Sequence, residues 1–462
     1  MTQRPKQLAV VAVAATAALG VVVAVHLRRW QQRKRRAAIL RSHIRALVKF
    51  YEPIVVDPSG GYFNQLRDDG TIYDQHTKHV VGTCRFSVNF SLVSRIMHER
   101  AAAYRALSGH GIRFLIECHA DPQPVDGFTW VLEGRHVSDG HKYCYSVAFA
   151  LLALANAHLA GVPDVLGPLN DVLALAEGTY FEAQHGLYID SFDRTLKHPS
   201  PYRGQNANMH MCEALIAVYE ACGDVSHLAR AALLARRLTV ELADPGTGWV
   251  VEHYTSDWIA DPHKNRDATP GSEEYIFRPP GFQPGHAVEW AKLLVLLERH
   301  SSAAGGALAS GRGWMLPTAE RLFERATQDG WDAQRGGLVY LVQLSADGSG
   351  GSTATWRDGN KYYWALAEMI GAAGLLAVRT GKQRYWGWYD AAWACARECF
   401  IDAERGGWYP MLNEANERVD PYAGEGHTGP PVKCYPSKTD YHPLAACWEV
   451  LRALEPAEVE VR

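Results

Sequence analysis

The sequence predicts an (α/α)6 barrel: an all-α ring of six helical hairpins with short β-hairpins on one rim. Two observations carry this reading. First, a short mark recurs six times, as Asp57-Pro-Ser-Gly-Gly-Tyr-Phe, Asp121-Pro-Gln-Pro-Val-Asp-Gly-Phe, Glu182-Ala-Gln-His-Gly-Leu-Tyr, Asp244-Pro-Gly-Thr-Gly-Trp-Val, Asp332-Ala-Gln-Arg-Gly-Gly-Leu-Val and Asp402-Ala-Glu-Arg-Gly-Gly-Trp-Tyr. Its first positions are 64, 61, 62, 88 and 70 residues apart. An acid, a turn, a glycine and then aromatic or apolar residues describe a tight turn entering a short strand. Second, about twelve stretches with helical spacing surround the marks, near 37–50, 85–106, 108–118, 143–160, 168–179, 207–222, 226–243, 285–300, 314–326, 361–380, 384–400 and 441–454. Two such helices per mark cannot bury their apolar faces singly, but stacked in a ring they can. A linear solenoid has the same local pattern and needs no sixth unit to close.

Taken in order, the chain begins with an uncharged run from Leu8 to Val25, interrupted only by Thr16 and Gly20. Arg28, Arg29, Arg33, Lys34, Arg35 and Arg36 follow it, against Arg4 and Lys6 in front. Basic residues after the run argue against a cleaved secretory signal, and the run lies at the lower limit for spanning a bilayer. The expectation is an anchor and basic flank over 1–36 and a catalytic barrel over 37–462. Residues 8–27 would hold the membrane, with the barrel cytoplasmic by the positive-inside rule. No acidic residue precedes Glu52, so an organelle-targeting segment, or a soluble cytoplasmic protein, is the alternative.

With 462 residues, 47% of them hydrophobic, the chain can bury one large core or two modest ones. A net charge of −3 gives no reason to expect nucleic acid as a partner. The nine cysteines are scattered, odd in number and mostly inside apolar helical runs, so reduced core residues are expected. Cys395 and Cys399 share a helix face, but no second Cys/His pair at zinc spacing stands nearby, and no structural zinc is expected.

The wider spacing between the fourth and fifth marks comes from an inserted polar segment, about 254–283. A polar loop of that length in a compact fold is usually a lid or binding loop. Gly348-Ser-Gly-Gly-Ser-Thr and the stretch 411–440 are two more long polar connections. All three precede helices whose starts carry candidate site residues, which places them at one mouth of the ring.

Four helix starts set polar or ionisable residues into otherwise apolar helices: Thr83-Cys-Arg85-Phe-Ser-Val-Asn89, Gln205-Asn206-Ala-Asn208-Met-His210-Met-Cys-Glu213, Pro284-Gly-His286-Ala-Val-Glu289 and Lys438-Thr-Asp440-Tyr-His442. A lone histidine on such a helix is more often a satisfied core residue than a catalyst. Three at equivalent places in different units, with an arginine, point instead to a shared site on the axis of the ring. Glu289 stands three residues after His286 and so one helical turn away, where a carboxylate can orient an imidazole for general acid/base work.

These stretches resemble the N-acylglucosamine 2-epimerase superfamily, over about residues 45–454. Asn206-Ala-Asn-Met-His210 resembles the family's Asn-x-x-x-His stretch. Pro284-Gly-His286-Ala-Val-Glu289-Trp is similar to its Pro-Gly-His-x-x-Glu-Trp, and Lys361-Tyr-Tyr-Trp364-Ala-Leu-Ala-Glu368 resembles its Trp-Trp-x-x-x-Glu helix, with Tyr363 where Trp is commoner. Tyr145-Ser-Val-Ala-Phe149 and Asp440-Tyr-His442 also fit.

The resemblance implies cofactor-free, metal-independent chemistry at C2 of an aldose. It implies that His286 and His442 transfer the proton alpha to the open-chain carbonyl, and that His210, Arg85 and Glu289 support the ring-opened sugar and the enediolate. Tyr145, Asn206, Trp364 and Glu368 would position sugar hydroxyls and ring faces. Histidine, titrating near 6.5, suits a base acting on such a carbon acid. Arginine supplies a fixed cation to the developing oxyanion without losing its proton.

The stretch from Thr83 to Phe90 resembles mannose-isomerase-like members more than mammalian-type epimerases, which implies mannose to fructose. An aldose 2-epimerase acting on N-acylglucosamine, cellobiose or mannose is the alternative. A glycoside hydrolase on the same barrel and a metal site built from His210, His286, Glu289 and His442 are more distant readings. The expected partners are a mono- or disaccharide substrate and the membrane, with a homodimer left open.

Overall fold

The computed structural model describes residues 4–123, 126–269, 272–346, 352–419 and 441–455. Among them the chain forms α1 (Arg4–Tyr51), α2 (Val80–Ser94), α3 (Ala101–Phe114), α4 (Cys144–Ala160), α5 (Leu166–Leu175), α6 (Gln205–Cys222), α7 (Val225–Arg236), α8 (Glu273–Phe277), α9 (Pro284–Ala304), α10 (Gly306–Gly311), α11 (Met315–Gly330), α12 (Tyr363–Thr380), α13 (Gln383–Cys395) and α14 (Tyr441–Leu454). Helices α2, α4, α6, α9, α12 and α14 each pack on the next, and α14 packs on α2. That contact closes the ring. Helices α3, α5, α7, α11 and α13 back the inner helix that precedes each of them, and α1 backs α14, so the two ends of the chain complete one hairpin between them. The fold is an (α/α)6 barrel.

Sequence explains which helices lie inside. In α4 every residue from Ser146 to Ala157 is buried, as a helix walled on all sides requires. Helix α11 instead buries Met315, Thr318, Ala319, Leu322, Phe323 and Ala326, the three-and-four spacing of a single apolar stripe.

The six marks tie outer helices to inner ones. In four of the six the acid's side chain folds its own turn: Asp57 Oδ1 accepts from the Ser59 amide at 2.8 Å, Asp244 Oδ1 from Thr247 at 2.8 Å, and Asp332 and Asp402 from Gln334 and Glu404 at 3.0 Å. The glycine that follows takes a left-handed conformation, with φ of 69° at Gly186 and 74° at Gly248, which favours a residue without Cβ. The acid also pairs with a base two residues before the next inner helix. These pairs are Lys78–Asp57 at 2.7 Å, Lys142–Asp121 at 3.0 Å, Arg203–Glu182 at 2.8 Å and Lys361–Asp332 at 2.9 Å. In the fourth unit the equivalent position is Phe282, and there the inserted segment arrives. Each buried pair pins the start of an inner helix; removing one partner of such a pair costs about 3–5 kcal/mol.

The amino-terminal reading is corrected here. Among the described residues no helix is long and apolar enough to cross a membrane, which overturns the transmembrane anchor, the membrane as a partner and the location built on them. The side chains of 8–22 lie outside the described residues. The basic flank has a different use from the one expected. Helix α1 runs unbroken into the barrel wall, and its bases bind barrel groups. Arg33 donates to the Leu454 carbonyl at 2.9 Å, Lys34 and Arg41 pair with Glu455 at 2.9 and 3.0 Å, and Arg36 pairs with Asp390 at 2.9 Å over the Trp386 ring. Charges that read as flanking a bilayer instead bind α1 to α13 and to the end of α14.

Candidate active site

The first turns of all six inner helices open on one cavity of about 850 Å³. Arg85, Tyr145, Asn206, His210, His286, Glu289, Trp364 and His442 all line it. Helix N-termini carry partial positive charge, so this geometry favours a ligand that becomes anionic. Lys264 and Arg278 of the inserted segment border the same cavity. The segment is folded on itself: Asn265 Nδ2 donates to the carbonyls of Glu274 at 3.2 Å and Arg278 at 2.9 Å. Of the other two long connections, 347–351 and 420–440 lie outside the described residues.

Each of the three histidines has its own carboxylate at Nδ1. His442 meets Glu368 Oε1 at 2.8 Å, His210 meets Glu213 Oε2 at 3.1 Å, and His286 meets Glu252 Oε2 at 2.9 Å. An ionised carboxylate only accepts, so Nδ1 of His442 and of His210 donates, and each of these rings when neutral keeps its lone pair on Nε2, whereas Nδ1 of His286 lies 2.9 Å from both Glu252 Oε2 and the Gln205 amide nitrogen. A neutral imidazole with Nε2 free is a base. Burial, reinforced by the charges of Arg85 and Lys292, holds His442 well below the usual histidine range, and burial lowers His210 as well.

The carboxylate beside His286 is therefore Glu252, not Glu289. Gln205 completes this group: its Oε1 accepts from Trp290 Nε1 at 2.8 Å, which turns its amide nitrogen toward Glu252 Oε2 at 2.9 Å. Glu289 has the opposite surroundings. It is 1% exposed, and its Oε1 has no hydrogen-bond partner among the described residues. Burial, with Glu368 nearby, raises it well above the ordinary carboxylate range. Burial thus favours its protonated form, which can donate a hydrogen bond or a proton.

Arg85 lies against His442: its Nη2 is 3.4 Å from Nε2 and donates to Tyr145 Oη at 3.1 Å. The guanidinium packs over the Phe149 and Tyr441 rings at 4.9 and 5.1 Å. Burial pushes Tyr145 up to about 12, so its phenol stays protonated. Because that oxygen already accepts from Arg85, its proton is free for a ligand. Trp364 sits between two histidines, its ring centroid 5.3 Å from that of His286 and 6.0 Å from that of His442. The Pro-Gly-His stretch makes this possible, because a Cβ on Gly285 would stand 2.5 Å from the Trp364 ring. Asn206 Oδ1 and Arg85 Nε, like Glu289 Oε1, are buried and unpartnered among the described residues. Three such atoms on cavity-lining residues are what a polyhydroxyl ligand would satisfy.

Glu368 lies elsewhere. It is fully buried beneath the cavity, bonded to His442 and, through Oε2 at 2.5 Å, to Lys292 Nζ. Sequence reasoning passed over Glu252, Gln205 and Lys292 as site residues and left Glu213 without a role. The signals were present: Glu252 follows the apolar Trp249-Val-Val, and Lys292 interrupts the apolar run of α9.

Two groups of donor atoms lie within 4.8 Å of one another, His210 with Glu213 and Glu289, and Glu289 with Glu368 and His442. Both share Glu289, and the cations Arg85 and Lys292 adjoin them. A divalent ion would meet like charge there.

The family model described as N-acylglucosamine 2-epimerase matches residues 61–443. The chain belongs to this family. It is 37% identical to a D-mannose isomerase of Marinomonas mediterranea over 90% of this chain and 97% of that protein. A crystal structure of a D-mannose isomerase superposes with a TM-score of 0.78 at 36% identity, covering 90% of this chain and 97% of the other. A cellobiose 2-epimerase from Bacillus thermoamylovorans, at 18% identity and a TM-score of 0.72 over 90% of this chain and 99% of that one, shares the fold.

Proposed function

We propose that this chain is an aldose–ketose isomerase that converts D-mannose into D-fructose through an enediolate. The observation that carries the reading is His442, a neutral base with Nε2 toward the cavity and the Arg85 guanidinium 3.4 Å away. Similarity to D-mannose isomerases at 37% identity supports the choice of sugar.

The open-chain aldose binds with its carbonyl oxygen at Arg85 and its hydroxyls at Asn206, Tyr145 and Glu289. His442 Nε2 takes the proton from C2, and the electron pair moves to the carbonyl oxygen, where the guanidinium and the helix N-termini stabilise it. The same nitrogen returns the proton to C1. The hydroxyl proton must also pass from O2 to O1, and His286, with Nδ1 fixed by Glu252, is the group free to relay it. Chemistry of this kind needs no metal, and the cations beside both donor groups support that reading.

A second reading, aldose 2-epimerisation, rests on His286 having its own carboxylate. Two independent bases can exchange a proton across the two faces of C2. Proton NMR of the purified protein with mannose, glucose, cellobiose and N-acetylglucosamine separates the two. Fructose formed from mannose, with undiminished rate in excess chelator, is expected; a C2 epimer as sole product, no turnover of mannose, or inhibition by chelator reversed by zinc or manganese would overturn it. In deuterated water, label should enter at C1 of the fructose.

A further inference from the structure

Beneath the cavity floor Lys292 is enclosed, 2% exposed, on the same helix as His286 and Glu289. It does not line the substrate cavity. Its Nζ lies 2.5 Å from Glu368 Oε2 and 3.9 Å from Glu213 Oε1. Those carboxylates are the two that hold Nδ1 of His442 and His210, and Tyr441 Oη adds a further donor to Glu213 at 3.2 Å. One ammonium on α9 thus joins a dyad built from α12 and α14 to a dyad built within α6.

We propose that Lys292 is a positioning residue that keeps Glu368 and Glu213 ionised and so holds His442 and His210 in the form with a proton on Nδ1 and a lone pair on Nε2. The inference rests on the reading of His442 as the base. Its logic is charge balance in a dry interior. The titratable groups around the ammonium are Glu213 and His210 from α6, Glu289 from α9, Glu368 from α12, and Tyr441 and His442 from α14, with Arg85 of α2 beyond them. Three carboxylates against two cations leave one negative charge in excess, and burying it is costly. Protonating Glu289, the one of the three carboxyls with no ion pair among the described residues, removes the excess; burial raises Glu368 as well, and the Lys292 ammonium 2.5 Å away opposes that and keeps it charged.

Without the ammonium, the balance fails. Glu368 would take up a proton and could then donate to His442 Nδ1, moving the ring proton to Nε2 and abolishing the base. The wrong tautomer in a histidine–carboxylate pair can cost catalysis up to about 10⁴-fold, and loss of an outer partner commonly about 10–100-fold.

The test compares Lys292→Met and Lys292→Arg with the parent protein. Lys292→Met should lose about 10²-fold in kcat on whichever sugar the parent turns over, with KM nearly unchanged, and Lys292→Arg should recover most of it. The acid limb of the pH–rate profile should move up in Lys292→Met, because a removed cation makes both imidazolium and neutral carboxyl easier to form. Nitrogen-15 spectra of the histidine rings decide the mechanism. The parent should show His442 with Nδ1 protonated and Nε2 bare, and Lys292→Met should show the reverse. A bare Nδ1 in the parent, or a slow Lys292→Met variant with unchanged ring shifts, would overturn the proposal. The parent spectrum needs neither turnover nor a folded variant, so failure to convert mannose would leave this test intact.

Discussion

His442 and His286 present the same imidazole to one cavity on unlike supports. The partner of His442 is Glu368 on a neighbouring inner helix, itself fully buried and held by Lys292. The partner of His286 is Glu252, just before the short strand His253–Tyr254, and it shares its oxygen with the Gln205 amide. One dyad is fixed by helix packing and a buried cation, the other by a strand end and a neutral amide. Nearby positive charge favours a base that stays neutral at His442; a carboxylate with no such cation beside it suits a group that exchanges protons in either direction.

The largest expected effect separates the two supports. Glu368→Gln should cut kcat by about 10²–10⁴-fold, since one amide oxygen cannot serve both His442 Nδ1 and the Lys292 ammonium, and a neutral amide leaves that buried cation without its counter-charge. Glu252→Gln can still accept from Nδ1 and should cost about tenfold to 10²-fold. Steady-state kinetics on the two variants checks the order. Equal losses would erase the distinction drawn above.

Gly285→Ala tests the wall between the dyads. The added Cβ would stand 2.5 Å from the Trp364 ring and 2.8 Å from Ala365 Cβ, so the ring or the helix start must move. Displacing a catalytic group by about 1 Å can cost up to 10²-fold, and a loss of about tenfold in kcat is expected, with about 1–3 kcal/mol of stability. Kinetics and thermal melting read both; an unaltered rate would mean that Trp364 does not set the spacing of the two histidines.

The smallest effect is a displacement of pH limbs. His442 must be neutral to act, and burial with Arg85 and Lys292 holds it well below the usual histidine range. Activity should therefore rise with pH through a value below the ordinary 6.5 and be complete at neutrality. Glu289 must be protonated to donate, and it is raised well above the ordinary carboxylate range, so activity should fall again as alkali removes that proton. A kcat/KM profile whose acid limb lies at or above 6.5 would show that His442 is not the base.

Much of this architecture was legible in the chain. Six marks at regular spacing imply six units, because a turn needs its acid and its glycine wherever it occurs. Histidines at the starts of buried helices imply a shared centre, because equivalent positions in a ring converge. Periodicity could not assign partners. Glu289 is one turn from His286 and looked like its carboxylate, yet the ring brings Glu252 there from 34 residues upstream. Lys292 read as an interruption of an apolar helix until α6 and α12 enclosed it with two carboxylates. The basic flank of the first helix carried the same pattern whether beside a bilayer or beside Glu455 and Asp390. Local sequence determines which residues face inward, since that depends on helical period and apolar burial alone. Which charge meets which is decided only when the ring closes, because ion pairs form between helices distant in sequence.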